Sequence, residues 1–478
     1  MAAMKKKFLQ DISANLLQVV INQLCGLIIF YILSAALAKN DFGEINWTLA
    51  VLLTTFNILS FGIDQVIVKK IAAGNNTHVT LSTYMMHVIV SGLLLYGILL
   101  VSKFFFNGFF NTHQFLLLIG IGKLMIFLST PFKQVATGME KFRALLFMAI
   151  SSNILRSLAL LVLAFSHQLN AAIIVMIFIG GDIAELLVCL LLTKYYLKIP
   201  LTLKWNRSNY TSLLKESLPQ LGVAIFTSAM ARLDWIFLGL MASTIILANY
   251  SFAYKVFEVS TLPLLIIAPL LIPRFTKIFQ PGTTVSDKKM HDLFTLLRYE
   301  IIIACGVALA LNILWVPVID LITNNKYGGI NKHTILILSF CLPFLYFNNF
   351  FWTIIFVRGH LKKIFYTTFI CFTINLIGTV TLIPFFSAEG AAAAYLISII
   401  IQSLLFYRQC GFRQYYAVIA GMVLPIVCAV AAGFLSSMLF SNAWMILFSS
   451  FLMYLTGLAV TRQIKWPHWH LFKQVSGL

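Results

Sequence analysis

Acidic side chains are scarce in this chain. Fifteen Asp and Glu stand against 34 Lys and Arg, and charged residues together fill only 10% of 478 positions. Soluble domains carry about 25%, so this composition excludes an ordinary water-exposed globule. The seven cysteines fall at no metal or redox spacing and mostly inside apolar runs, which excludes a disulfide framework or a zinc ribbon. A nucleotide-binding loop is missing too. Gly120-Ile-Gly-Lys123 ends like one, but position 117 is Leu where glycine is required. There is no HExxH, and His468-x-His470 reads as a feature of an interfacial tail. These motifs imply no metal and no cofactor. Long polar connections are absent as well: the largest external one, 320–334, leaves no room for a catalytic domain. The expectation is a non-enzyme.

What the chain does contain is apolar sequence. Hydrophobic residues make up 60% of it, against roughly 45–50% in soluble domains. Runs of about eighteen or more such residues recur from end to end, each able to cross a bilayer core about 30 Å thick. The sequence therefore predicts an all-α polytopic membrane protein with about 14 transmembrane helices. They are expected near 12–38, 44–68, 82–102, 114–132, 145–165, 171–193, 217–240, 247–273, 299–319, 335–357, 364–386, 390–407, 415–438 and 444–461. The basic start, Met4-Lys5-Lys6-Lys7, resembles a signal peptide. The apolar stretch after it continues to about Ala38 without a small-x-small cleavage site, so it reads as a retained first span.

Basic residues test that count, because cytoplasmic loops are enriched in Lys and Arg. With the N-terminus inside, four fall on the external side (Lys39, Lys103, Lys326, Lys332) and four within spans (Lys123, Arg156, Arg232, Lys255). That leaves 26 of the 34 for cytoplasmic segments. Both termini are then cytoplasmic. The net charge of +19 becomes a topology signal and an attraction to anionic membrane lipids. The basic residues are spread along the chain rather than gathered on one face, so no nucleic-acid partner is expected.

An internal repeat gives the organisation. The segment "AKNDFGEINWTLAVLLTTFNILSFGIDQVIVKKIA" has a counterpart in "ASTIILANYSFAYKVFEVSTLPLLIIAPLLIPRFTKIF", with Lys69 and Arg274 205 residues apart at matching basic exits. An offset of six helices keeps the orientation, as in transporters built from two parallel bundles. The expected domains are an N-terminal six-helix bundle over 1–210, a C-terminal one over 211–412, and two accessory helices with a cytoplasmic tail over 413–478.

Polar residues on the spans mark candidate sites. Asp11, Asn15, Gln18 and Asn22 share one face of the first span, and Asn57, Ser60 and Asp64 one face of the second. Asp182 and Glu185 stand one turn apart on span six, Lys255 and Glu258 on span eight. Singly, Asn, Gln and Ser suit helix–helix hydrogen bonds of about 0.6 kcal/mol. The embedded cations Lys123, Arg156, Arg232 and Lys255 are harder to place, since each costs roughly 2.5–3.5 kcal/mol at a helix centre. Either they pair with Asp182, Glu185, Asp234 and Glu258, or they line a cavity for an anion. Asp64, Asp182, Glu185, Asp234 and Glu258 are thus candidate ion-pair or coupling residues. Within "SAMARLDWIFLG", Arg232 and Asp234 lie about 200° apart around the helix, so one faces the interior while the other meets a neighbour. Arg232 is expected to face the cavity, with Asp234 paired locally, Lys255 being one partner. Pro263, Pro269 and Pro273 are expected to bend span eight.

The stretches "LAKNDFGEINW" and "FGIDQVIVKKIA", then "RLDWIFLG" and "LANYSFAYKVFE", resemble the polysaccharide repeat-unit flippases (O-antigen and capsule exporters) of the multidrug/oligosaccharidyl-lipid/polysaccharide exporter superfamily. The resemblance implies two six-helix bundles around a central cavity and alternating access. It implies an isoprenoid (undecaprenyl-type) diphosphate-linked oligosaccharide as substrate, moved across a bacterial cytoplasmic (inner) membrane for surface polysaccharide or lipopolysaccharide synthesis. A polysaccharide polymerase is an expected further partner on the same resemblance. A diphosphate suits Arg232, Lys255, Arg156 and Lys123; a sugar suits Asn15, Gln18, Asn22 and Asn57. The first span lacks an acid at its middle, which speaks against a drug-exporter ion site there. Two other readings stay open: an ion-coupled exporter of drugs or small solutes, and a polytopic enzyme of polysaccharide assembly relying on Asp320 or Glu389.

Overall fold

Every element of the computed structural model is helical, and no strand occurs among the described residues. Those are residues 2–74, 76–166, 168–203, 207–264, 271, 275–276, 278–279, 287–410 and 416–464. The chain falls into two compact units, Met1–Ala248 and Asn249–Leu478.

The first unit contains α1 (Ala2–Ala36), α2 (Lys39–Leu59), α3 (Ile63–Ala72), α4 (Thr77–Phe105), the short α5 (Asn107–Thr112), α6 (Phe115–Gly138), α7 (Phe142–Phe165), α8 (Ala171–Leu191) and α9 (Arg207–Met241). Polar caps start two of them. The Asn76 side chain accepts from the His78 and Val79 amides at the head of α4, and Asn170 accepts from the Ile173 amide at the head of α8, satisfying donors that a first helical turn leaves open. The expected second span, 44–68, is not continuous. It breaks between α2 and α3, where Phe61 and Gly62 both take positive φ, at 54° and 68°. Glycine accepts that conformation without strain, and the break places Asp64 in the first turn of α3. Within this unit α6 packs on α8, α4, α3 and α2, α7 joins α1 to α8, and α9 lies along α2 and α3.

The boundary between the units falls inside α10 (Thr244–Ser260). The second unit continues with α11 (Asp287–Thr323), α12 (Lys332–Val357), α13 (Leu361–Cys410), α14 (Tyr416–Leu439) and α15 (Ala443–Val460). α11 packs on α12, α14 and α15, and α12 packs on α13. Its core is aromatic, with Phe347, Phe350 and Phe351 of α12 against Leu297, Ile301 and Ile302 of α11.

Eleven helices among the described residues are long and apolar enough to cross a membrane, fewer than the fourteen expected. One physical reason accounts for part of the gap. α13 counts once, yet its 50 residues would extend about 75 Å if straight. It turns at Ser387, where φ is 49°, between the expected spans 364–386 and 390–407. α9 is not among the eleven, which were counted on the described residues alone. α10 ends at Ser260, ahead of Pro263. The expected bend at Pro269 and Pro273 lies outside the described residues, as does part of the second repeat segment.

Candidate functional site

Two of the four embedded cations meet in the first unit. Asp182 of α8 is fully buried and accepts from Lys123 of α6, with Nζ to Oδ2 at 3.0 Å, and from the Arg156 guanidinium of α7. Arg156 also donates to the Phe178 carbonyl at 3.2 Å, and its guanidinium lies 4.9 Å from the Phe178 ring centre. Glycine makes the room. A Cβ on Gly181 would sit 2.8 Å from the Arg156 side chain, and one on Gly122 would collide with the Asp182 carboxylate. Three helices thus converge on one acid that serves two cations. Charge-assisted bonds of this kind are the strong ones, and the triad carries one more cation than anion.

A turn further along α8, Glu185 accepts from Lys133 at 2.6 Å and from the Ser129 hydroxyl at 3.4 Å. Lys133 stands at the end of the expected span 114–132 and reads from sequence as a loop residue. Asp64, beside the α2–α3 break, accepts from the Tyr84 hydroxyl. Close by, His87 bonds the Leu59 carbonyl through Nε2 at 2.9 Å and the Tyr210 hydroxyl through Nδ1 at 3.1 Å. Near the α2 start, His113 Nδ1 lies 3.0 Å from Glu44 Oε2 while its ring stacks on Trp47 at 3.8 Å. Sequence reasoning missed these partners. Glu44 and Trp47 are visible as an i,i+3 pair, but nothing local connects them to His113.

The remaining candidates are dispersed. Asn22 accepts from Asn153 at 3.0 Å, tying α1 to α7. Gln18 is half-buried and its Oε1 has no hydrogen-bond partner. Asn57 is exposed, and Asn15 lies on α1 with its side chain outside the described set. On α9, Asp234 is buried and accepts from the Trp235 amide at 2.9 Å. The Arg232 guanidinium, half-exposed, lies 4.5 Å from the Trp235 ring centre. The two charges therefore do occupy different surroundings. In the second unit, Lys255 bonds Glu258 at 2.9 Å, one turn along its own helix.

A family model described as "Polysaccharide biosynthesis protein" matches residues 8–279, more than half of the chain. The capsular polysaccharide biosynthesis protein CapF of Staphylococcus aureus is 25% identical over 420 residues, which cover 84% of this chain and 98% of CapF. Among solved structures, the lipid II flippase MurJ in an inward closed conformation aligns with a TM-score of 0.74 at 15% identity, covering 93% of this chain and 98% of that one. An inward-facing multidrug resistance transporter of the MATE family, in the MOP superfamily, aligns with a TM-score of 0.65 at 11% identity, covering 85% and 98%. At these identities the structural likenesses show the fold alone, an all-helical multi-pass arrangement.

Proposed function

The chain belongs to the polysaccharide biosynthesis protein family, and from that premise we propose that it is a flippase for an isoprenoid diphosphate-linked oligosaccharide, working by alternating access. The observation that carries this reading is the Lys123–Asp182–Arg156 triad, a buried surplus of positive charge within apolar helices. A surplus cation at membrane depth is costly unless it meets an anion or water. A diphosphate linked to sugar is such an anion. The likeness to CapF and the fold shared with MurJ support the same substrate class. In this proposal Lys123, Arg156, Arg232 and Lys255 attract the diphosphate while Gln18, Asn15, Asn22 and Asn57 serve the sugar. Fourteen spans with both termini cytoplasmic, in a bacterial cytoplasmic membrane, complete it, with six-helix halves over 1–210 and 211–412 and accessory helices over 413–478.

The fold shared with MATE transporters favours a second reading, ion-coupled export of drugs. A cationic drug gains nothing from a net positive buried triad, so the first reading is preferred. The deciding measurement reconstitutes the chain in vesicles with a labelled isoprenoid diphosphate oligosaccharide and follows its change of leaflet. We expect Arg232→Ala and Lys255→Ala to slow flipping at least about tenfold at equal protein, the cost of losing one charged contact. Unchanged flipping in both variants would sink the assignment, and transport of cationic amphiphiles alone would favour the exporter.

A further inference from the structure

Glu300 of α11 is 2% exposed, and neither of its carboxylate oxygens has a hydrogen-bond partner. It shares its helix face with Leu297 and Ala304, both buried. No other buried acid described in this chain is left this way. Glu44 has His113, Asp182 has two cations, Glu185 has Lys133 and Asp234 has a backbone amide.

The charged neighbour in sequence does not help. Arg298 is two residues back and so about 200° away around the helix. It faces α14, where a Cβ on Gly421 would lie 3.5 Å from its Nε. Among the described residues of the helices packed on α11, α12 brings Tyr346, which interacts electrostatically with Glu300, and Cys341. The basic residues of α12 are confined to its first two, Lys332 and His333. α14 offers Cys428 and no charge. α15 offers Tyr454, whose hydroxyl donates to the Ile302 carbonyl at 3.0 Å. Cys305 lies further along α11 itself.

An ionised carboxylate with no cation and no donor bears a desolvation penalty of several kcal/mol. A neutral carboxyl group bears only the smaller cost of unmet hydrogen bonds, about 1–3 kcal/mol. Intramembrane acids in transporters mark ion and proton pathways by default. We propose that Glu300 is a proton-binding site, loaded in this conformation and unloaded when movement of the second unit admits water. In the unloading step the O–H bond breaks, its electron pair stays on the carboxylate and the proton passes to a water molecule. Loading reverses this. The coupling of that proton to substrate movement rests on the transport reading above; the binding of the proton does not.

The test uses the full-length protein in lipid vesicles. Infrared spectroscopy at neutral pH reads the carbonyl stretch of protonated carboxyl groups. The expected result is one such band, shifted by exchange into heavy water and lost in Glu300→Gln. Superimposable spectra of wild type and variant would overturn the proposal. A band displaced by adding sodium would also overturn it, because the ligand would then be the metal ion. If Glu300→Gln does not fold, wild type grown on isotope-labelled glutamate reports the same band directly, and its absence overturns the proposal. Flipping of labelled lipid-linked oligosaccharide is then followed under an imposed pH gradient. Wild type should respond to the gradient and Glu300→Gln should not. A variant that keeps the response removes the coupling role. A wild type that carries the band yet flips nothing instead counts against the proposed substrate.

Discussion

The two compact units bury acid in opposite ways. Of the four described acids the first holds inside, Glu44, Asp182 and Glu185 each have a cationic or imidazole partner distant in sequence, and Asp234 accepts from the Trp235 amide. The second holds Glu300 inside, and among the described residues neither of its oxygens meets a hydrogen-bond partner. The difference separates two uses of charge in a membrane bundle. A partnered acid fixes helices to one another, because its removal strands the partner. An acid without a partner fixes nothing and is available to take up and release a proton. On the proposal above, protonation of Glu300 can bias the conformation of the second unit.

The largest effect that would break this contrast lies at Asp182. Asp182→Ala leaves Lys123 and Arg156 buried with no carboxylate, a loss of about 3–5 kcal/mol for a broken buried pair. Thermal unfolding in detergent should show a sharply lowered midpoint and a fall in folded yield. A variant as stable as wild type would mean that the two cations find other partners and that the triad does not hold α6, α7 and α8 together. Gly122→Ala tests the same contact sterically. Its Cβ would meet the Asp182 carboxylate, and overpacking of this kind costs about 1–3 kcal/mol. The measurement is again the unfolding midpoint, and an unchanged value would show that Asp182 can withdraw without losing its cations.

The second unit should respond differently. Glu300→Gln keeps the shape and removes an acid that makes no bond, so stability should change by less than about 1 kcal/mol, smaller than the loss of an ordinary hydrogen-bonded group. A drop as large as that of Asp182→Ala would reveal a structural partner and would erase the contrast between the units.

These contrasts were only partly legible in the sequence. Apolar runs located most of the helices, since span length follows from bilayer thickness. The separate surroundings of Arg232 and Asp234 followed from the 100° step of a helix. The pairing at Asp182 did not follow, because Lys123 and Arg156 stand 59 and 26 residues from it, and helical spacing speaks only about neighbours a turn or two away. The α2–α3 break was hidden for a different reason. Gly62 is visible, but Phe61 at φ 54° has no sequence signature, and Ser60 to Asp64 reads as uninterrupted helix. Glu300 escaped because it stands beside Arg298 at the edge of the expected span 299–319, where an acid and a base look like a solvated loop end.

The smallest expected effect lies outside the spans, where charge pairs are solvated. Lys70 of α3 meets Glu216 of α9 at 2.8 Å, with the Glu216 side chain about half exposed, and Ser212 donates to the same carboxylate at 3.0 Å. The hydrogen bond from Lys70 is the main cause holding the Glu216 carboxyl below its usual range. The sign follows directly: the folded state favours the ionised form, so the contact contributes fully above the ordinary carboxylate range and is lost as pH falls through the lowered value. Its size is small, because exposed pairs are screened and give about 0.2–1 kcal/mol. Glu216→Gln should therefore shift the unfolding midpoint only slightly at neutral pH, and the shift should vanish in strong salt and in acid. A large effect that persisted in salt would mean that α3 and α9 depend on this pair, placing a structural anchor at the water-facing end of the first unit as well as in its interior.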